Sequence, residues 1–271
     1  MLGCATAQGD LDLCASMHAV ERLKRVILAL PEVDLRVGWL REKLTLLPVE
    51  QAAELLDRLC EDAERADPDS RESVLAVGLL FAGLGECEFV ERLREEATGR
   101  KLLSLERLLR RAPRAHHEER SFHELPVPDY GTGRELTVGE RRSLARRPNR
   151  RSFEKLLLDP HPLVIAQLLQ NPRLVEDDVV RMVARRPTRI DVLEAIAKMP
   201  RWLSRQRVRQ ALLLNPGTPP AIAMPLLGAC TRVELREVLA STDTPITLRV
   251  TARELLQRRP PLTAREDMSV H

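Results

Sequence analysis

The sequence predicts an all-α protein whose second half is a right-handed α-solenoid, that is, a stack of short helices in repeating units. The first observation is a series of prolines spaced 12 to 16 residues apart: Pro148, Pro160, Pro172, Pro187, Pro200 and Pro216. The second is the helical spacing of apolar residues between them, as in Val175, Val179 and Val183. The third is an aromatic content of only 3%, which disfavours a β-sandwich. Because proline suits the start of a helix and disrupts its interior, its regular recurrence indicates stacked helices.

The N-terminal part, residues 1–112, is predicted to be an acidic domain of five or six helices. Pro31, Pro48 and Pro68 lie where helices would begin. The apolar residues that follow Pro48 recur at i, i+3, i+4, i+7 and i+8, which is the pattern of a helix with one buried face. Residues 74–81 are apolar on nearly all sides, so we expect this helix to lie at the centre of the domain.

Residues 113–136 are predicted to connect the two domains as a polar linker or surface loop, because they contain several prolines, glycines and histidines and few aliphatic residues. His116, His117 and His123 lie there beside glutamates, a combination that could ligate a metal. Adjacent histidines in a short loop rarely bind one ion, however. We therefore expect no metal site and no cofactor.

The second domain is assigned to residues 137–271. We predict nine helices in it, at about 137–146, 149–158, 162–170, 175–185, 189–198, 203–214, 219–228, 232–240 and 245–258. Two Thr-x-x-Glu capping boxes open helices in this domain, Thr137 to Glu140 and Thr231 to Glu234. The second box divides the long interval between Pro216 and Pro245, so the repeat continues through it.

One repeat carries a family resemblance. The segments Met199-Pro200, Val208-Arg209-Gln210-Ala211-Leu212 and Asn215-Pro216-Gly217-Thr218-Pro219-Pro220 are similar to the leucine-rich repeat variant, a bacterial unit of two short helices with a V-R-x-A-L core and an N-P-x-T-P turn. Looser copies lie at 159–174 and 244–252, so the resemblance covers roughly 148–258. It implies a HEAT/armadillo-like α-solenoid in which Val208 and Leu212 are buried.

Some members of that family carry an iron–sulphur cluster on an N-terminal group of cysteines. The five cysteines of this chain do not match that spacing, so the cluster is not expected here. They are also odd in number and include no C-x-x-C pair, which indicates reduced, structural cysteines. Because no apolar run reaches the roughly 18 residues needed to span a bilayer, we expect a cytoplasmic protein without a membrane partner.

Charge is distributed unevenly along the chain. The sequence has a formal net charge of +3, but residues 1–133 carry −7 and residues 134–271 carry +10. Two separate functional regions or an acidic region that shields a basic one would both give this pattern. Arginines four residues apart on a helix share a face, and we expect such a basic stripe to include the candidate binding residues Arg142, Arg146, Arg181, Arg185, Arg201, Arg205 and Arg209.

The arginine stripe suits carboxylates or phosphates, because the guanidinium group donates two parallel hydrogen bonds to either. Alternatively, the arginine stripe is an outer face of the solenoid that only contacts solvent and has no binding function. An acidic protein surface or peptide is the partner we expect, since the few aromatic residues offer little stacking for nucleic acid. No phosphate-binding glycine loop, nucleophile elbow or HExxH motif occurs, so no catalytic residues are assigned.

The sequence therefore predicts a non-catalytic interaction scaffold or adaptor that binds through a basic α-solenoid surface. The alternative is a nucleic-acid-binding helical-repeat protein that resembles the helical-repeat DNA glycosylases. Their chemistry needs an acidic residue and aromatic side chains in a basic groove. Two tryptophans and one tyrosine do not supply that group in a recognisable pattern.

Overall fold

The computed structural model describes residues 18–65, 67–112 and 126–259, and these residues form sixteen helices and no strand. The first helix, α1, spans 18–29. The others are α2 (Val33–Thr45), α3 (Val49–Glu64), α4 (Pro68–Leu84), α5 (Glu88–Gly99), α6 (Leu103–Leu108), α7 (Val138–Arg146), α8 (Arg150–Leu156), α9 (Pro162–Leu168), α10 (Glu176–Ala184), α11 (Ile190–Ala197), α12 (Pro200–Leu203), α13 (Gln206–Leu214), α14 (Pro220–Leu227), α15 (Arg232–Ala240) and α16 (Ile246–Arg258). The all-α prediction is confirmed.

The N-terminal helices surround α4. Asp67 caps this helix by accepting a hydrogen bond from the Ser70 backbone N–H at 2.8 Å, and Pro68 occupies its first turn. Its residues 76–82 are all buried, which confirms that this apolar segment lies at the centre. It packs against α2 and α3 and also against α11, α12 and α14. The N-terminal and C-terminal helices therefore share a packed interface.

The helices from 137 onward follow the predicted boundaries closely, with one difference. The expected helix at 203–214 is α13, which begins at Gln206, and an additional short helix, α12, precedes it, so the described residues from 137 onward form ten helices instead of nine. Pro200 starts α12 early, and Arg205 is extended, with a ψ of 124°. Arg209 also stabilises the break, because its side chain donates to the carbonyls of Leu203 and Ser204, at the end of α12.

Both predicted capping boxes are present. The hydroxyl of Thr137 accepts from the Glu140 N–H, and the Glu140 carboxylate accepts from the Thr137 N–H at 2.8 Å. Thr231 and Glu234 form the same pair of bonds at the start of α15. The residues that open helices were therefore correctly identified from the sequence.

Alternate helices pack side by side in the second half. α7 packs on α9, and α9 packs on α11, while α10 packs on α13 and α13 on α15. Asn171, just after α9, donates to the carbonyl of Ala145 near the end of α7, so these two helices end together. Asn215, just after α13, donates to the carbonyl of Val183 near the end of α10 at 2.5 Å. Val208 and Leu212 of α13 are fully buried, as expected.

A buried ion network joins the N-terminal helices to the C-terminal ones. Arg107 of α6 binds Glu64 of α3 through two hydrogen bonds of 2.9 and 2.7 Å, and Arg258 of α16 donates to the same carboxylate at 2.5 Å. Arg110 binds Glu254 across the same interface. We call the contact region of these three helices, α3, α6 and α16, the seam. The apolar contact between α4 and α14 continues it.

Candidate functional site

Many arginines of this chain bind the carbonyl groups that helix ends leave without partners. The last carbonyl groups of a helix accept no hydrogen bond from within that helix. Cationic side chains that donate to them are therefore favourable there. Seven arginines donate to such carbonyls: Arg36 to Leu30, Arg94 to Leu109, Arg185 to Leu158, Arg186 to Leu214, Arg209 to Ser204, Arg232 to Leu256 and Arg259 to Gly228. Much of the arginine content therefore stabilises the fold.

The ends of α7 and α9 are bound by neutral side chains instead. The amide of Asn171 donates to the carbonyls of Ala145 and Arg146 at 3.2 and 3.3 Å. The indole N–H of Trp202 donates to the carbonyl of Leu169 at 2.8 Å. Because these groups satisfy the carbonyls, the arginines around them need not turn inward.

Six exposed arginines lie around these two helix ends, and we call them the arginine edge: Arg142, Arg146, Arg147, Arg173, Arg201 and Arg205. Within 18–65, 67–112 and 126–259, no carboxylate forms an ion pair with any of them. The Nε of Arg146 does bind the amide oxygen of Gln167, at 3.3 Å. The acidic N-terminal helices that the structure describes therefore do not pair with this edge.

Local contacts place the members of the edge near one another. Arg142 and Arg146 share one face of α7, four residues apart, and Arg147 follows the helix directly. The Asn171 side chain brings the turn that contains Arg173 to the end of α7. The Trp202 contact with Leu169 brings α12, and with it Arg201, to the end of α9, and the backbone N–H of Arg205 donates to the Trp202 carbonyl at 3.0 Å.

Arg201 has the most defined geometry of the six. Its guanidinium carbon lies 4.9 Å from the centre of the Trp202 ring, a cation–π contact. The ring itself is only 4% exposed and is fixed by its bond to Leu169. Helix α13 starts next to it without a side-chain cap and without an acidic residue in its first turn. Asp177 of α10 contacts this turn, but it pairs with Arg207, so α13 itself offers no acid to Arg201.

Three of the predicted binding residues lie outside the edge. Arg181 is exposed but already pairs with Asp178 at 2.5 Å and Glu154 at 3.4 Å. Arg185 binds a carbonyl at the end of α8. Arg209 is only 7% exposed and binds the end of α12. The expected stripe of Arg201, Arg205 and Arg209 is therefore wrong, because α12 ends before Arg205 and the third arginine is buried.

The other four predicted residues are brought together, and two were missed. Arg147 and Arg173 belong to the edge although neither lies at an i, i+4 spacing from a predicted partner. Arg173 follows the Asn171-Pro172 turn, and its position depends on the Asn171 contact with α7. The only signal in the sequence was that an Asn-Pro turn directly precedes it.

A second polar cluster has a structural role. Tyr130 donates to the carboxylate of Asp159 at 2.8 Å, and Arg141 binds the same oxygen at 2.5 Å. Burial and the negative charge of Asp159 raise the pKa of Tyr130. Asp159 also accepts from the His161 backbone N–H. These bonds hold the segment before α7 against α7 and the turn after α8.

The remaining chemical candidates among the described residues are two buried cysteines and possible metal ligands. Burial raises the pKa of the Cys60 thiol, and it raises that of Cys230 to about 12, so both stay protonated and unreactive. Among the residues placed by the structure, no group of three or more potential ligands could hold a metal ion. The histidines at 116, 117 and 123 lie outside them. None of the described helices is both long and apolar enough to cross a membrane.

Comparison of the chain with known protein families, with curated proteins and with solved structures finds no match. The arginine edge therefore has to be interpreted from its own geometry and charge.

Proposed function

We propose that this protein is a non-catalytic interaction scaffold whose arginine edge binds an acidic protein surface or peptide. The observation that carries the proposal is the contrast in how helix ends are satisfied. Arginines bind the carbonyls at seven helix ends, whereas neutral side chains do so at α10, α7 and α9, and at the last two these are Asn171 and Trp202. The exposed arginines at those two ends are thereby left available for a partner.

The architecture that we propose for this scaffold is an α-solenoid of the leucine-rich-repeat-variant or HEAT/armadillo type. The packing of α7 on α9 and of α9 on α11 supports it, as does the packing of α10 on α13 and of α13 on α15. The two Asn-Pro turns support it as well, since each asparagine accepts from the N–H two residues on and donates to a neighbouring helix end. Such stacks present helix ends as long surfaces, which suit extended peptides or other domains.

Nucleic acid is the less favoured partner. Binding of single strands uses exposed aromatic rings on which bases stack. Between 126 and 259, Trp202 is buried and Tyr130 and Phe153 are half-buried, so none offers an open face. A duplex remains the nucleic acid against which the proposal has to be tested, because backbone phosphates require only positive charge.

The test is equilibrium binding of a fluorescent polyglutamate peptide to the full chain. We expect saturable binding that weakens with salt, and its loss when Arg142, Arg173 and Arg205 are all replaced by glutamate. The control replaces Arg41, Arg92 and Arg253 with glutamate; these are also exposed, and the net charge changes by the same amount. Equal losses in both variants, or no binding by the native chain, would overturn the proposal. Tighter binding of a DNA duplex with the same number of charges would favour the alternative partner.

A further inference from the structure

We propose that the arginine edge recognises an extended acidic peptide whose carboxylates recur at about every third residue, and that Arg201 stacked on Trp202 is the anchoring contact. This inference rests on the proposed function and specifies the partner of the same surface. It is carried by two observations, which are the fixed position of Arg201 and the side-by-side order of α7, α9 and α11.

Arg201 is held in place before any partner binds. The indole of Trp202 is buried and hydrogen bonded to the Leu169 carbonyl at 2.8 Å, and the Arg201 guanidinium lies over that ring at 4.9 Å. A guanidinium that stacks by its face keeps its N–H groups in the plane of the fork, where they can donate to a carboxylate. An arginine fixed in this way loses less side-chain entropy on binding than a freely rotating one. It is therefore the strongest single contact that the edge offers.

The spacing of carboxylates follows from the spacing of the helices. α7 packs directly on α9, and α9 on α11, which leads into α12. Packed helices lie about 8–10 Å apart, and an extended chain advances about 3.3 Å per residue. A peptide that crosses the ends of these helices thus passes one helix for about every three residues. Carboxylates three residues apart would meet in turn Arg147 just after α7, Arg173 after α9 and Arg201 in α12 after α11.

The experiment compares two peptides of about ten residues that have the same number of glutamates and the same glycine–serine remainder. In the first peptide the glutamates occupy every third position, and in the second they form one continuous run. The chain has two tryptophans, so a Trp39→Phe background leaves Trp202 as the only one. Binding is followed by Trp202 fluorescence and, independently, by anisotropy of a label on the peptide.

We expect the spaced peptide to bind more tightly than the continuous one and to change Trp202 fluorescence. We expect Arg201→Gln to weaken binding by roughly tenfold or more, as the loss of a charged hydrogen-bonded contact does. Arg201→Lys retains the charge but loses the planar fork of the guanidinium group. Its affinity for the peptide should therefore lie between those of the native protein and Arg201→Gln. Arg253→Gln, at an exposed position of α16, should bind like the native protein.

Each other result has a distinct meaning. If the two peptides bind equally well and glutamates at 142, 173 and 205 still abolish binding, the spacing rule is overturned and the scaffold proposal stands. If Arg201→Gln binds as well as the native chain, the anchoring contact is overturned. If neither peptide binds, both proposals fall. If a DNA duplex displaces the spaced peptide at lower concentration, the peptide assignment is wrong and the edge is a phosphate-binding surface.

Discussion

The seam and the arginine edge use the same residue type for opposite purposes. At the seam, Arg107 and Arg258 converge on the buried carboxylate of Glu64. At the edge, Arg142 and Arg205 are exposed and have no carboxylate partner among the residues placed by the structure. Both regions lie in chain segments rich in arginine. The difference arises from the neighbouring helices, which supply a buried acid in one place and neutral caps in the other.

This comparison shows that net charge alone is a poor guide to a binding surface in this protein. The basic half carries +10, yet Arg209 and Arg259 are buried and bind helix ends. Counting such buried residues as part of a basic face exaggerates the positive charge that a partner would meet. A partner can use only those arginines that no carbonyl or carboxylate within the protein already binds.

The largest expected effect is at the seam. Replacing Glu64 with glutamine leaves Arg107 buried without a negative partner, and removing one member of a buried pair typically costs about 3–5 kcal/mol. We expect a loss of that size in the free energy of unfolding, measured by urea denaturation. Glu95→Gln, at an exposed position of α5, should change it by less than about 0.5 kcal/mol. Equal stability of the two variants would mean that the seam network contributes no more than a surface pair.

Close packing at the seam gives the next effect. A methyl group added to Gly78 of α4 would lie 2.7 Å from the carbonyl oxygen of Pro225 in α14, whereas one added to Gly38 of α2 meets nothing within 4 Å. We expect Gly78→Ala to lose about 1–3 kcal/mol of unfolding free energy through overpacking. Gly38→Ala should gain up to about 1 kcal/mol, because alanine is the better helix former. A gain in both variants would show that α4 and α14 are not in close contact.

Helix positions were largely predictable because proline and capping residues act locally. Thr137 and Thr231 mark helix starts through bonds within one turn, and the structure bears them out. Of the six recurring prolines, only Pro200 lies in the first turn of a helix, and the other five lie in the turns that precede helices. The partners of the arginines were not predictable in this way. Arg209 lies four residues from Arg205 in the sequence. It is nevertheless buried, because α12 ends close enough for the Arg209 side chain to bind its last carbonyl groups. Such a contact depends on where another helix stops, which spacing along the chain does not encode.

The two Asn-Pro turns allow the explanation for the edge to be tested directly. Asn171→Ala leaves the carbonyls at the end of α7 without their donor, and Asn215→Ala does the same at the end of α10. Each change should cost about 1–3 kcal/mol of unfolding free energy. Only Asn171→Ala should also weaken polyglutamate binding, because Arg146 or Arg147 can turn inward to the vacated carbonyls.

Binding assays on the two asparagine variants provide the measurement, and urea denaturation confirms that both remain folded at the assay temperature. If both variants lose stability and both keep native affinity for polyglutamate, neutral capping is not what leaves the edge arginines exposed. The seam and the edge would then differ only in the presence of Glu64.

The smallest effect is expected at an exposed pair, which contrasts with the buried pair at the seam. Arg134 binds Glu140 at 2.5 Å on the surface. That bond, together with those from Thr137, lowers the pKa of Glu140 to about 2.

The low pKa of Glu140 makes the contribution of this pair depend on pH. Because the folded pKa lies below the unfolded value of about 4.3, the stabilisation is complete above the unfolded pKa and is lost as the pH falls through the folded pKa. The gap in unfolding free energy between the native chain and Glu140→Gln should therefore shrink from about pH 5 to pH 2. At neutral pH it should be smaller than the gap for Glu64→Gln, since exposed pairs contribute little. Urea denaturation at stepped pH measures both gaps, and a Glu140→Gln gap that stays constant down to pH 2 would contradict the assignment of this pair.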